Sequence, residues 1–455
     1  MGTTERLAQF IVETNFNRIP PEAVKVANGA MLDCLGVTFA GAVGPEGKII
    51  TDFVREMGGN PVASVIGGGF RTSAPWAALA NGTMGHAEDY DDSGFAMIGH
   101  PTVPLLPAIL ALGEQCQASG KEAITAYVVG FEVESKLGRG MAPSGHYQRG
   151  WHATATMGTM GAAAASARLL KLDVQQTIMT LGIAASQASG LRRNFGTMTK
   201  PFHAGNAARS GVVAALLAKK GFTAHANILE DHFGFFDVLK SDNPYDLNRV
   251  TEGLGETFEL TTSGIAVKLY PSCHDTHACI NHTLDLRSKH NIRPQDVQRI
   301  DYAVSELIAS VATYTDPKTA LEGKFSLEYC IARALHDGSV KLEHFTEEKV
   351  NEPGIRETIK KITRNVDPTL RYLAGARVTI TLKDGRQFTQ GSTDVIKGFP
   401  QMPLTREELT AKYRDCARMM LSPQNVERSL ELMENLEGLK DITELMNIVV
   451  NRASY

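Results

Sequence analysis

Acidic, basic and imidazole side chains are concentrated in four short segments of this 455-residue chain. The first segment, residues 86–100, contains His86, Asp89, Asp91, Asp92 and His100 among several glycines. Carboxylates and imidazoles take part in proton transfer near neutral pH, so the segment predicts an acid–base site on a loop. The alternative is an acidic cap on the following helix together with a solvated turn. Taken alone, the segment leaves both interpretations open.

The second segment is Trp151-His152-Ala153-Thr154, directly before an alanine-rich stretch that is predicted to be helical. An imidazole there can act as a general acid or base. It can equally be a packing residue at the start of the helix, and the segment alone does not decide between the two roles.

The third segment, residues 190–206, is basic in a protein whose formal net charge is -4. It carries Arg192, Arg193, Lys200 and His203 and then enters a predicted helix. Helix N-termini and charged donors both favour anions, so this segment favours carboxylate binding. The alternative is a solvated basic loop.

The fourth segment, residues 268–279, begins with Lys268 and contains Cys273, His274, His277 and Cys279. This spacing suggests zinc, but a structural zinc site needs a second pair of ligands, and the other cysteines are isolated. A helix over residues 274–281 accounts for most of these side chains, so we predict no metal site. Lys268 stands apart as a candidate cation.

Sequence motifs for cofactors are missing. The chain has no Gly-x-Gly-x-x-Gly after a strand, no Walker loop, no Gly-x-Ser-x-Gly elbow and no His-Glu-x-x-His. We therefore expect chemistry without a cofactor, carried out by acids, bases and fixed charges.

The composition narrows the class of protein. Hydrophobic residues make up 43% and charged residues 21% of the chain, which are ordinary globular values. A net charge of -4 argues against nucleic-acid binding, which needs a basic face. We predict no secretory signal, no membrane span and, from six sparse cysteines, reduced thiols in a cytoplasmic protein.

The elements that must position these segments are mostly helices. Apolar periodicity predicts helices that include residues 121–137, 156–170 and 209–217, and others after residue 404. Between them, residues 297–306 and 377–382 alternate as strands, and Asp384-Gly385 predicts a hairpin to residues 387–393. Helices are predicted over residues 326–335 and 357–362. We predict a mainly α protein, in which a large all-helical domain (residues 1–267 and 396–455) carries an inserted, smaller α+β lid domain (residues 268–395).

The four segments, in this order, resemble the MmgE/PrpD family, which includes 2-methylcitrate dehydratases, cis-aconitate decarboxylases and iminodisuccinate epimerases. The matching sequences are NGTMGHAEDYDDSGFAMIGHP, WHATATMGTMGAAAASARLL, GLRRNFGTMTKPFHAGNAARSG, KLYPSCHDTH and, later, KFSLEY. The resemblance covers nearly the whole chain. It implies a helical domain with a smaller α+β lid, and a homodimer.

The decarboxylase branch of that family implies catalytic roles for five residues, which are Asp89, His100, His152, Lys200 and Lys268. Ser93 stands where that branch has threonine, and Cys273 stands where it has a histidine near the site. We predict that Ser93 and Cys273, with Arg192, Arg193 and His203, contact the substrate.

These residues predict a cofactor-independent lyase that dehydrates or decarboxylates a small di- or tricarboxylate. The reaction leaves negative charge on carbon next to a carboxylate, and fixed cations stabilise that charge. Two alternatives remain. One is an isomerase that epimerises iminodisuccinate or a related dicarboxylate, and the other is a non-catalytic carboxylate-binding protein.

Overall fold

The structure is a computed structural model that describes residues 1–242, 244–370, 375–392 and 395–452. Within these residues, the α-helices α1 to α22 are, in chain order, Thr3–Glu13, Pro21–Val43, Pro45–Met57, Ala74–Ala87, Thr102–Cys116, Gly120–Gly140, Pro143–Gln148, Ala153–Leu169, Val174–Ala185, Thr199–Lys219, Phe235–Leu239, Leu247–Thr251, Glu259–Thr262, His277–His290, Glu306–Val311, Ala320–Lys324, Leu327–Asp337, Glu347–Val350, Pro353–Ile359, Arg406–Ala417, Pro423–Glu434 and Thr443–Val449. The strands β1 to β8 are Ala63–Ser64, Arg71–Thr72, Ser93–Gly94, Ile265–Ala266, Val297–Val304, Ile362–Val366, Ala376–Leu382 and Gln387–Ser392. The protein is therefore mostly helical with little sheet, as the sequence predicts.

Close contacts between α4, α8 and α10 bring three motif segments together. Gly82 of α4 meets Gly205 of α10, where a Cβ atom on Gly82 would lie 2.7 Å from the Gly205 Cα. A Cβ atom on Gly211 of α10 would lie 2.5 Å from the Ala162 carbonyl carbon in α8. Only glycine allows these backbones to pack so closely, because any side chain would have to fit inside the backbone contact.

The small sheet lies between residues 297 and 392 and has the strand order β6-β5-β7-β8. Strand β5 is parallel to β6 and antiparallel to β7. A hydrophobic cluster joins this sheet to α14 and α17 through residues such as Leu286, Ile331, Ile300 and Val378. A separate and larger cluster contains residues from Leu7 to Ile265 and from Tyr413 to Val449. The boundaries that we predict for two domains stay a prediction.

Two predicted elements differ from those observed. The strand predicted to reach residue 306 ends at Val304, because the Ser305 hydroxyl accepts a hydrogen bond from the Ile308 amide and caps α15. The helix predicted over residues 357–362 is α19, which ends at Ile359. Ile362 instead begins β6, whose sequence Ile-Thr-Arg-Asn-Val does not alternate between apolar and polar residues as a typical strand does.

The other predicted elements agree within a few residues. The hairpin is formed by β7 and β8, and Gly385 in its turn has φ of +89°. Thr393, where the second strand was predicted to end, lies outside the described residues. The fourth motif segment contains a 3₁₀ turn, His274–Thr276, followed by α14.

Helix α2 (Pro21–Val43) is long and apolar enough to cross a membrane by length and composition. Of its most apolar window, 78% is buried inside the protein. A core helix of this kind meets the same criteria, and α2 packs here within the larger hydrophobic cluster.

Candidate active site

The site lies where α4 ends and where α8 and α10 begin. Asp89 follows the end of α4, His152 is the N-cap residue of α8, and Lys200 is in the first turn of α10. Two helix N-termini therefore point their unpaired amide groups and partial positive charge into one region. Strand β4 ends at Ala266, two residues before Lys268. It pairs with β3 through Ala266 and Ser93, and this pairing brings the fourth segment to the site.

Asp89 is held between two buried lysines. Its Oδ1 atom accepts hydrogen bonds from Lys268 Nζ at 2.6 Å and from Lys200 Nζ at 3.0 Å. Lys268 Nζ also donates to the main-chain carbonyl of Asp89 at 2.8 Å. All three side chains are nearly inaccessible to solvent. The residues come from three separate segments, so this cluster is made by the tertiary structure.

The lysines keep Asp89 ionised. Burial alone would raise the pKa of Asp89, but Lys200 and Lys268 outweigh it and hold that pKa well below the usual value. Burial would likewise lower the pKa of Lys268, but the charge of Asp89 raises it above its ordinary value. Asp89 and Lys268 therefore stabilise each other's charged forms, and Lys200 adds a second ammonium group to the same carboxylate.

Asp91 binds two histidines. Its Oδ1 atom lies 2.8 Å from His86 Nδ1, and its Oδ2 atom lies 3.2 Å from His100 Nδ1. Burial and the nearby lysines lower the pKa of both histidines, to about 3 for His86, against the opposing charge of Asp91. Both imidazoles are therefore neutral at neutral pH and oriented by a buried carboxylate.

His152 is the third imidazole close to this cluster. Its ring centre lies 6.4 Å from that of His100 and 5.3 Å from that of His203, and its Nδ1 atom is 3.1 Å from His203 Nδ1. Burial, then the charge of Lys200, lowers the pKa of His152 well below its usual value. One of the two facing Nδ1 atoms must carry a proton for this contact to be a hydrogen bond.

A cavity of about 130 Å³ lies beside His100. Its lining residues are Ser93, Gly94, Phe95, Ile98, Gly99, His100, Tyr147, Cys273, His274 and Asp275. The volume exceeds that of a single water molecule by several fold, so the cavity has room for part of a small ligand. His100 connects the cavity to the Asp89 cluster, since its Nε2 atom lies 3.9 Å from Asp89 Oδ1.

The structure therefore brings together all five residues that the sequence predicts to be catalytic. Of the predicted substrate contacts, Ser93 and Cys273 line the cavity, and His203 touches His152. The two arginines differ in their surroundings. Arg192 stacks on Tyr147 and donates to two main-chain carbonyls, and Arg193 is exposed. The roles assigned to these ten residues stay predictions.

Four of the site's side chains have the composition of a metal site. One ligand atom each from His86, Asp89, Asp91 and His100 lies within 4.8 Å of the others. The surroundings fit a metal cation poorly. Asp89 is already paired with two ammonium groups, and these would repel a bound metal ion. Both oxygens of Asp91 also contact imidazole nitrogens. The residues present thus fit an anion better than a metal ion.

Several residues at the site were not among those predicted. Asp92, His274 and Asp275 are buried beside it, and burial raises the pKa of Asp92 to about 8 and that of Asp275 to about 7. Asp92 lies in the first motif segment and Asp275 in the fourth, so their positions in the sequence could have identified them as candidate site residues. Lys412 of α20 also reaches this region, and nothing in its local sequence distinguishes it from a surface lysine.

Family models and known enzymes are similar to this chain over nearly its whole length. The family model of the MmgE/PrpD N-terminal domain matches residues 5–248, and that of the MmgE/PrpD C-terminal domain matches residues 270–438. A cis-aconitate decarboxylase of Mus musculus is 29% identical, over 98% of this chain and 93% of its own length. The Homo sapiens enzyme of that name is 28% identical and the Aspergillus terreus enzyme 26%, each over 98% of this chain.

These relatives are decarboxylases, which are lyases, and they align with nearly the whole chain. The two family domains together match most of the sequence, including the first three motif segments and the fourth from residue 270 onward. The protein is an enzyme of the lyase type, and it belongs to the MmgE/PrpD family.

Proposed function

We propose that this enzyme is a cofactor-independent lyase that decarboxylates or dehydrates a small carboxylate of the aconitate type, with decarboxylation as the first choice. The observation that carries the proposal is the cluster of Asp89, Lys200 and Lys268 beside the neutral imidazoles of His100 and His152. Decarboxylation is preferred to dehydration because the relatives at 26–29% identity are cis-aconitate decarboxylases.

The lysines are suited to hold substrate carboxylates. Each ammonium group has three donors, and Asp89 accepts one hydrogen bond from Lys200 and two from Lys268. Donors therefore remain for a ligand, and the cluster's positive charge favours an anion. Because these groups are fixed before the substrate arrives, they stabilise added negative charge without reorganising.

In decarboxylation, the bond between carbon and the departing carboxylate breaks, and its electron pair stays on the substrate as CO2 leaves. That pair is delocalised towards a neighbouring carboxylate that the lysines hold. A proton then moves to the carbon, and we assign its delivery to His152, with His100 as the second candidate. An anionic substrate beside His152 raises the pKa of this imidazole, so substrate binding favours uptake of the proton that is later transferred.

The test is a mass-spectrometric screen of cis-aconitate, 2-methylcitrate, citrate and iminodisuccinate with purified protein and a chelator. We expect a product lighter by CO2 from cis-aconitate, or by water from a hydroxy acid, and undiminished turnover with the chelator. Absence of any turnover across the panel would contradict the proposal and favour a carboxylate-binding protein. Loss of turnover on chelation would contradict a metal-free reaction.

Epimerisation of an imino-dicarboxylate is the second candidate. It is favoured by the presence of two imidazoles, His100 and His152, whose ring centres are 6.4 Å apart, since one base can remove a proton and another can return it to the opposite face. Incubation in D2O separates the two reactions. An epimerase introduces deuterium at the α-carbon of recovered substrate without loss of water or CO2, whereas a decarboxylase forms a lighter, deuterated product.

We also propose that the enzyme acts as a cytoplasmic homodimer, as its family resemblance and sequence composition lead us to expect. Light scattering of the purified protein gives the mass in solution, for which a value twice that of the 49.2 kDa chain is expected.

A further inference from the structure

Three successive main-chain carbonyls at the site accept hydrogen bonds from three different buried lysines. The carbonyl of Glu88 accepts from Lys324 at 2.7 Å, that of Asp89 from Lys268 at 2.8 Å, and that of Tyr90 from Lys412 at 2.9 Å. Lys268 belongs to the cluster already described. Lys324 and Lys412 come from distant parts of the chain and do not contact Asp89 itself.

Lys324 and Lys412 each hold a second carbonyl, on the segment that carries Lys268. Lys412 Nζ donates to the Lys268 carbonyl at 2.9 Å, and Lys324 Nζ donates to the Pro271 carbonyl at 3.1 Å. Each lysine therefore joins residues 88–90 to residues 268–271. In the first segment the two connections flank Asp89, and in the second they hold the carbonyl of Lys268 and that of Pro271.

The backbone at Asp89 needs such support. Asp89 has φ of +49°, a left-handed conformation that is costly for a residue with a Cβ atom. It also follows the end of α4, where carbonyl groups have no partner within the helix. Donors from Lys324 and Lys412 satisfy carbonyls on both sides of this residue, so they stabilise the conformation that directs the Asp89 carboxylate to the lysines.

Lys324 and Lys412 each lie against a carboxyl group. Lys324 Nζ lies 2.8 Å from Glu88 Oε2, and Lys412 Nζ lies 2.8 Å from Asp33 Oδ1. Lys412 also lies 3.8 Å from the centre of the Tyr90 ring. Lys324 uses its three donors on the Glu88 carboxylate and two carbonyls. Lys412 donates to two carbonyls and lies against the Asp33 carboxyl group and the Tyr90 ring. Their arrangement suits holding the backbone rather than binding an anion.

We propose that Lys324 and Lys412 are positioning residues, which fix Asp89 and Lys268 relative to each other by clamping the main chain on both sides of Asp89 to the segment that begins at Lys268. The catalytic part of this inference rests on the proposed function, whereas the geometric part does not. A displacement of about 1 Å in a catalytic group can lower the rate by roughly 10²-fold, so a clamp of this kind has a measurable effect on turnover.

The test compares Lys324→Met and Lys412→Met with the control Lys136→Met. Lys136 is also a buried lysine that donates to a main-chain carbonyl, that of Glu252 at 2.7 Å, and pairs with Glu259 at 3.1 Å. It lies in α6 and makes none of the contacts of the clamp. The control therefore reproduces the loss of a buried ammonium group without touching residues 88–90 or 268–271.

Two readouts are needed. Crystal structures of the variants are expected to show residues 88–90 displaced and a longer distance between Asp89 Oδ1 and Lys268 Nζ, with no such change in the control. If the wild-type enzyme turns over a substrate of the panel, kcat is expected to fall about 10- to 100-fold in both clamp variants, with a smaller change in KM. The folded fraction of each variant is measured by near-ultraviolet circular dichroism, and kcat is calculated per folded molecule.

A double-mutant cycle and a conservative variant distinguish the proposed positioning role from a merely structural role of these lysines. Lys412→Met is expected to cost little further activity in an Asp89→Asn background, because it acts through Asp89. Lys412→Gln keeps amide donors for two carbonyls and is expected to recover part of the lost kcat. Unchanged positions of Asp89 and Lys268 in both variant structures would overturn the proposal, even if no substrate is found. Loss of activity no greater than in Lys136→Met would overturn it as well.

Discussion

The main-chain carbonyl of Asp92 accepts a hydrogen bond from His100 Nδ1 at 2.8 Å. A carbonyl can only accept, so the Nδ1 atom of His100 carries the proton and the neutral ring presents an unprotonated Nε2 atom. The Asp92 carboxyl group accepts hydrogen bonds from the backbone amide and the hydroxyl group of Thr102. One residue thus fixes the tautomer of His100 through its backbone and the start of α5 through its carboxyl group.

Replacing His152 by alanine is expected to leave folding intact and to remove most turnover. A positioned acid or base contributes roughly 10²–10⁴-fold in rate, so a loss of that size in kcat is expected. The measurement is steady-state kinetics on the substrate identified by the screen. His336→Ala is the control, since this histidine lies in α17 and bonds to Thr358, away from the site. Near-normal kcat in His152→Ala would remove this residue from the mechanism.

Asp89→Asn is expected to separate binding from catalysis. Without the carboxylate, the ammonium groups of Lys200 and Lys268 lose their anionic partner. A tricarboxylate should therefore bind about tenfold more tightly. Over the same change, kcat is expected to fall by about 100-fold. Isothermal titration with tricarballylate, which is saturated and does not react, measures the affinity. Glu328→Gln is the matched control, because Glu328 is a buried carboxylate paired with Arg364 instead. Weaker tricarballylate binding in Asp89→Asn would contradict the assignment of the lysines as the anion site.

Asp275 is expected to limit activity at alkaline pH. Burial raises its pKa to about 7, against smaller opposing effects of the Cys273 thiol, Arg192 and Lys268. Below that pH the group is neutral, and above it a carboxylate faces the cavity that receives an anion. We expect kcat/KM to fall by about tenfold above pH 7, equivalent to ~1.4 kcal/mol of charge repulsion. In Asp275→Asn this fall should disappear, and its persistence would assign the alkaline limb to another group.

Asp92 is expected to make stability depend on pH. Its pKa is raised from 3.8 to about 8 in the folded protein, mainly by burial, so between these values the folded state holds a proton that the unfolded state releases. The free energy of unfolding contributed by this group therefore falls as pH rises through that window, by at most about 1.4 kcal/mol per pH unit.

Asp92→Asn removes this titration and keeps a neutral hydrogen-bonding side chain. The variant is expected to gain stability relative to the wild type as pH increases from 5 to 8, as measured by urea denaturation at each pH. Asp242→Asn, at an exposed aspartate, should show a constant difference over the same range. A constant difference for Asp92→Asn too would mean that Asp92 is ionised in the folded protein at neutral pH.

The sequence was sufficient for the local features of this protein. Helical periodicity predicts α6, α8 and α10, and Asp384-Gly385 predicts the β7–β8 hairpin, because both signals depend on neighbouring residues only. The density of acids, imidazoles and cations in four segments identified Asp89, His100, His152, Lys200 and Lys268 as candidates. Their types alone suggested acid–base chemistry on an anion.

The contacts between those segments depend on the tertiary structure. Lys412 reaches the Tyr90 carbonyl across 322 positions of the chain, and Lys324 reaches the Glu88 carbonyl across 236. Lys412 lies in none of the matching sequences and Lys324 begins the KFSLEY match, but neither local sequence predicts these contacts, which only long-range packing creates. Packing also buries Asp92 and Asp275, which raises their pKa values, and it stacks Arg192 on Tyr147. Residue types thus determine which chemistry is available, whereas long-range packing determines which groups meet and which charge each one carries.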